Sequence, residues 1–211
     1  VRPLVPLTLL VCACALPPAE DRVGRGFVLF PREGEPPAGH EPWAERFVDP
    51  VTAPYLFESP VVQTNLQAVH LRHDFPRSSI LGGGQLKGYA LQARLALTER
   101  LAFIAIKDGR VDFEPRALPD AWGDVDVGGG LKYVVHEDPE AGRLVTAGLL
   151  YEGTNGDGDI FQGNGDGVWR PFVSAGWDLG RWNVLGTAGD SKPVDSDDES
   201  TSIDYHLHVD Y

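Results

Sequence analysis

Ile203-Asp204-Tyr205-His206-Leu207-His208-Val209-Asp210-Tyr211 alternates without a break. Ile203, Tyr205, Leu207, Val209 and Tyr211 fall on one side of an extended chain, and Asp204, His206, His208 and Asp210 on the other. Such a period of two is the signature of a strand with two unlike faces. Three segments upstream repeat it. In Gly88 to Thr98, Tyr89, Leu91, Ala93, Leu95 and Leu97 oppose Gly88, Ala90, Gln92, Arg94 and Ala96. In Asp124 to His136, Val125, Val127, Gly129, Leu131, Tyr133 and Val135 oppose Asp124, Asp126, Gly128, Gly130, Lys132, Val134 and His136. In Val168 to Leu179, Trp169, Pro171, Val173, Ala175, Trp177 and Leu179 oppose Arg170, Ser174 and Asp178. Weaker patterns cover Leu101 to Asp108, Leu144 to Glu152, Trp182 to Ala188 and, least clearly, Gln67 to Phe75. The expectation is an all-β chain of about eight or more strands.

The connections sort by length. Thr98-Glu99-Arg100, Glu137 to Gly142 and Gly180-Arg181 are short, whereas Asp108 to Gly123, Gly153 to Gly167 and Gly189 to Ser200 are long. Short and long alternate, as in an up-and-down transmembrane β-barrel with short periplasmic turns and longer outer loops. Aromatic placement agrees. Trp169 and Trp177 bracket one face of one strand, and Tyr89, Tyr151 and Trp182 also sit near strand ends, where membrane-interface aromatics belong. At about 3.3 Å per residue the two tryptophans stand roughly 26 Å apart. A tilt of about 40° makes that a height of roughly 20 Å, close to the apolar band of such barrels. The opposite face supplies lumen-facing candidates: Gln92, Arg94, Asp126, Lys132, Arg170, Asp204, His206 and His208. A soluble periplasmic, lipocalin-like barrel would invert the two faces, with the apolar set lining a ligand cavity. Alternation alone does not separate these readings.

The rest of the 211 residues frames this core. The 25 Gly and 17 Pro suit a turn-rich β chain. A net charge of −13 argues against nucleic acid as a partner. Arg2, the apolar run Leu4 to Ala15 and the small-x-small triplet Ala13-Cys14-Ala15 read as a secretory signal over residues 1–15. A buried N-terminal helix and a lipoprotein acylated at Cys14 are the alternatives. Cleavage at Ala15 would leave no cysteine, hence no disulfide and no thiolate metal site. Residues 16–60 read as a Pro/Gly-rich lead segment in which Trp43 to Pro60 is more apolar, and residues 61–211 as the barrel domain.

Several pieces together resemble a known family. Tyr89-Ala90-Leu91-Gln92-x-Arg94-x-Ala96-Leu97-Thr98-x-Arg100-Leu101-Ala102, Gly130-Leu131-Lys132-Tyr133, Asp159-Ile160-Phe161-Gln162-Gly163-Asn164-Gly165-Asp166-Gly167 and Pro171-Phe172-x-Ser174-Ala175-Gly176 are similar to runs in bacterial outer-membrane barrels. These are grouped with the MetA-pathway of phenol degradation family and are often labelled transporters. The resemblance spans about residues 45 to 211. It implies an outer-membrane barrel whose solute is unassigned, in contact with lipid; the acidic long loops suggest cation-bridged lipopolysaccharide, and a terminal aromatic such as Tyr211 the barrel insertion machinery. Similar chains usually continue with further strands, so this one reads either as an incomplete barrel or as one ending on a genuine aromatic, Tyr211.

Other chemistry is thinly represented. Asn155-Gly156-Asp157-Gly158-Asp159 resembles the start of a calcium loop, but Ile160 stands where an EF-hand needs glycine. Asp157, Asp159 and Asp166 remain weak metal candidates against the plainer reading of a turn-rich loop. The acidic cluster Asp195, Asp197, Asp198 and Glu199 reads as solvated charge on another long loop. Ser174 and Ser202 lie in no G-x-S-x-G elbow. No enzyme activity and no cofactor are expected.

Overall fold

The computed structural model describes residues 8–12, 29–30, 46–50, 56–163, 165–196 and 200–211. Ten strands form one antiparallel sheet: β1 (Thr8–Cys12), β2 (Asn65–Phe75), β3 (Gly84–Ala96), β4 (Leu101–Pro115), β5 (Ala121–Asp124), β6 (Gly128–Asp138), β7 (Arg143–Glu152), β8 (Val168–Asp178), β9 (Asn183–Pro193) and β10 (Ser202–Asp210). Strands neighbour in chain order, except that β5 and β6 lie end to end along β4: β5 pairs Arg110 to Phe113, and β6 pairs Leu101 to Ile106. Taken as one interrupted strand, they make β2 to β10 an eight-strand up-and-down meander. The sheet curls into an incomplete barrel, and among the described residues no strand pairs the outer edge of β1 or of β10.

The connections 97–100, 139–142 and 179–182 are short and share one end of the meander, while 76–83, 116–120, 153–167 and 194–201 share the other. In one tight turn Gly142 adopts φ 63°, and an added Cβ would lie 2.7 Å from the Asp178 carbonyl oxygen. The 108–123 connection is shorter than its sequence suggests, because β4 runs on to Pro115 and returns as β5. The reason is a bulge. Leu91 pairs Asp108 and Ala93 pairs Ala105, so β4 carries one residue more than β3 between these pairs. Each extra residue reverses the side-chain alternation. Before it Ala102, Ile104 and Ile106 are buried; after it Phe113 and Pro115 are. A second bulge, at Val135 in β6, leaves His136 exposed rather than beside Lys132 and Val134.

The two faces differ in chemistry. The convex face carries Leu91, Phe103, Leu131, Leu149, Val173, Leu207 and Val209, all exposed. The aromatics Tyr89, Tyr151, Trp169, Trp177 and Trp182 are exposed as well. Tyr151 packs on Trp169 with centroids 4.7 Å apart near the long-loop end, and Trp182 on Tyr211 at 4.6 Å near the short-turn end. The concave face buries Gln92, Arg94, Lys132, Thr146, Arg170, Ser174 and Thr187. Glycine makes room there: a Cβ on Gly189 would meet the Arg170 guanidinium at 2.5 Å, and one on Gly176 the Phe47 ring at 3.1 Å.

Thr8–Cys12, inside the run read as a signal, pairs as an edge strand along Cys12↔Ala68 to Thr8↔Arg72 of β2. The remainder of residues 1–15, and most of residues 16–45, lie outside the described residues.

Candidate functional site

The described end of the lead segment, with Val61, Val62 and Gln63 just beyond it, occupies the concave face. Residues 57–63, Phe57-Glu58-Ser59-Pro60-Val61-Val62-Gln63, are all buried. Toward the short turns, Phe47, Phe57, Val61 and Val62 pack with Ala96, Ala102, Val134, Leu144 and Leu185 in one apolar cluster. Farther along the axis, Ile104, Ile106, Leu150 and Phe172 form a second. A polar layer accompanies these clusters, and Glu58 is its centre.

Glu58 is 3% exposed. Arg94 donates to it through Nε at 3.1 Å to both carboxylate oxygens and through Nη2 at 2.9 Å to Oε2. Lys132 Nζ donates to Oε1 at 2.7 Å and to the Ser59 carbonyl oxygen at 2.8 Å. The hydroxyls of Ser174 and Thr187 donate to the Glu58 carbonyl oxygen at 2.6 and 2.7 Å and lie 3.0 Å from each other. Arg170 Nη2 donates to the Leu56 carbonyl oxygen at 2.9 Å, and Arg170 also grips Asp204 of β10 through Nε at 3.1 Å and Nη2 at 2.6 Å. One extended segment is thus tied to β3, β6, β8 and β9. The inward positions of four strands converge on it because the sheet curls.

Burial by itself would raise the Glu58 carboxyl. The charges of Arg94 and Lys132 and the hydrogen bonds they donate outweigh it, and lower the carboxyl from 4.5 to about 2. The depressed value sets the sign of the pH dependence. The stability gained from this carboxylate is complete above about pH 4.5 and is lost as pH falls through about 2. In chemical denaturation followed by tryptophan fluorescence, the stability gap between wild type and Glu58→Gln is expected to stay level from neutral pH to about 4.5, then shrink on further acidification. A gap that closes well above pH 4.5 would contradict this assignment.

The sequence candidates divide between two places. Gln92, Arg94, Lys132 and Arg170 are buried on the concave face, with Gln92 Oε1 3.5 Å from Arg94 Nη1. Asp204 and His206 are half-buried beside Arg170, with His206 Nε2 3.5 Å from Asp204 Oδ2, and His208 is half-buried farther along β10. Asp126 belongs to another structure. Its carboxylate accepts from the backbone N–H of Gly156 at 2.8 Å and of Gly163 at 3.1 Å, both in the 153–167 loop.

The same loop repairs the break between β5 and β6. Asp157 Oδ2 accepts from Asp124 N at 2.7 Å, Gln162 Oε1 from Asp126 N at 3.3 Å and Asn155 Oδ1 from Val127 N at 3.1 Å. Backbone donors without a strand partner are satisfied by loop side chains. The Asn155-Gly156-Asp157 stretch therefore staples the wall. No group of three His, Cys, Asp or Glu side chains able to hold a metal occurs among the described residues, so Asp157, Asp159 and Asp166 do not assemble into one. Asp126→Ala removes the acceptor of two loop donors, and about 1–3 kcal/mol is expected to go with it. Limited proteolysis would read this as faster cutting within 153–167, and an unchanged cutting rate would refute the stapling role.

A crevice of about 610 Å³ lies apart from the polar layer, against Tyr89, Leu91, Arg110, Asp124 and Val127 where β4 changes partners. Arg110 and Asp124 pair with each other there at 2.9 Å.

The lead-segment residues were missed by sequence reasoning, since they show no periodicity. The available signal was the concave face itself, where Arg94, Lys132 and Arg170 call for acceptors. Comparison with known family models, curated proteins and solved structures returns no match.

Proposed function

We propose that this chain is an outer-membrane β-barrel that handles small solutes, with its lumen closed at rest by its own lead segment. The observation that carries the reading is the orientation of the two faces. Leucine, valine and aromatic side chains predominate on the convex wall from β6 to β10, outward charges such as Lys87, Asp108, Arg110 and Asp112 gather on β3 and β4 toward the long-loop end, and Arg94, Lys132, Arg170, Ser174 and Thr187 point inward. Soluble monomers rarely expose contiguous apolar patches beyond a few hundred Å². A lipid-facing wall needs an apolar outside and tolerates a polar inside. The lipocalin-like alternative calls for the opposite order. The two pairs of packed aromatics near opposite ends of the wall, Tyr151 with Trp169 and Trp182 with Tyr211, suit membrane interfaces. The sequence resemblance to outer-membrane barrels of the phenol-degradation family belongs to the same proposal.

Lipid leaves no backbone edge unpaired, so the meander must close. Removal of residues 1–15 as a signal would take β1 with it and free the edge of β2. In an even-numbered meander β2 and β10 run antiparallel, so that edge is the one β10 would pair. Lipid, lipopolysaccharide at the long-loop end and the insertion machinery are the partners this requires.

Fractionation of the host envelope followed by electrophoresis with and without boiling tests the reading. Recovery in the outer membrane, with a band whose migration changes on heating, is the expected result. Recovery in the soluble periplasmic fraction would overturn it.

A further inference from the structure

We propose that the concave wall at Arg94, Lys132, Ser174 and Thr187 is a binding site for a short-chain dicarboxylate, and that Glu58 occupies it as a tethered stand-in. The inference rests on the reading that the curled sheet encloses a solute passage, and it names the class of solute. Every wall group that holds Glu58 is a donor. Arg94 and Lys132 take the carboxylate at 2.7–3.1 Å. The Ser174 and Thr187 hydroxyls take the carbonyl oxygen of the same residue at 2.6 and 2.7 Å. Between that carbonyl carbon and the side-chain carboxyl runs the carbon skeleton of glutarate. One end of such a ligand would meet two cations, and the other would meet two hydroxyls.

Charge bookkeeping points the same way. Lys132 is 1% and Arg94 6% exposed. Both feel Asp49 as well as Glu58, and both acids sit on the lead segment. When the segment leaves, Arg94 and Lys132 lose their carboxylates together and line the passage as a vacant pair of anion-binding donors. A buried ion pair is also a poor device for mere plugging, because an apolar contact of equal volume is commonly as stable. The apolar cluster around Phe47, Phe57, Val61 and Val62 already supplies that contact. The cations are then accounted for by a solute that replaces the segment's acid.

The test uses the full chain refolded in detergent, with glutarate as the probe and glutaric diamide and matched sodium chloride as controls. In Glu58→Ala the carboxylate end of the site, at Arg94 and Lys132, is vacated, and glutarate completes its binding by displacing the residue-58 carbonyl oxygen from Ser174 and Thr187. Glutarate at about a hundredfold excess over its Kd is expected to raise the thermal midpoint by roughly 5–10 °C. The diamide and chloride are expected to leave it unchanged, wild type to respond to none of the three, and Glu58→Ala combined with Arg94→Met to lose the rescue. Should Glu58→Ala not fold, Glu58→Ser also empties the space between Arg94 and Lys132 while keeping a polar group on the segment, and the same comparison applies. Equal rescue by chloride or by the diamide, or no rescue in a folded variant, would overturn the dicarboxylate site. Heat-dependent migration of the wild-type band is recorded on the same samples. Its absence counts against the barrel reading, and its presence without glutarate rescue counts against the site alone.

Discussion

Glu58→Ala is expected to cost about 3–5 kcal/mol of unfolding free energy, the range for breaking a buried charge pair on one side. Arg94 and Lys132 have side-chain exposures of 6% and 0% and would face each other with their shared acceptor gone. The loss comes more from the stranded cations than from the missing bonds. Replacing all three charged residues at once, in Glu58→Ala/Arg94→Met/Lys132→Met, is therefore expected to recover most of the single-variant loss. Equilibrium unfolding in detergent measures both. A single-variant loss below about 1 kcal/mol, in the range of an exposed pair, would mean that the segment does not sit in the wall as described.

The second large effect concerns the convex face. Leu149→Lys and Val173→Lys each place a charge on the outward wall between the two aromatic pairs. On the lipid face of a membrane barrel such a change costs about 2–4 kcal/mol near the midplane. On a solvated surface the same change typically stays within about 0.5 kcal/mol. Folding equilibria into lipid vesicles are expected to give the larger figure for both positions. A cost near zero at both would mean that the apolar wall meets water.

The wall was far more legible in the sequence than its contents. Alternation in β3, β6, β8 and β10 marks strands because one face must differ from the other; Gln92, Arg94, Lys132 and Arg170 are buried on the concave face, whereas Asp126 is held by the 153–167 loop. The pattern misleads where a residue is inserted. The bulge in β4 turns Phe113 inward, and the one at Val135 turns His136 outward, since a single extra residue reverses every later side chain. The role of the 153–167 loop was hidden for another reason. Asn155, Asp157 and Gln162 bond to backbone groups exposed only because β5 and β6 are interrupted, and that break leaves little trace in composition. Glu58 was the least legible residue of all. It stands alone in a Pro-rich segment, and its partners Arg94, Lys132, Ser174 and Thr187 are 36, 74, 116 and 129 residues away.

The central claim is that the convex wall faces lipid and the concave wall does not. Adjacent residues on one strand report it most directly. In a Cys12→Ser/Cys14→Ser background, Leu149→Cys and Val173→Cys place a thiol outward, while Leu150→Cys and Phe172→Cys place one inward. Each is labelled with a small fluorophore and refolded into vesicles containing brominated lipid. Strong quenching at 149 and 173, with weak quenching at 150 and 172, is the result this account requires. Equal quenching at neighbouring positions, or the reverse alternation, would contradict it.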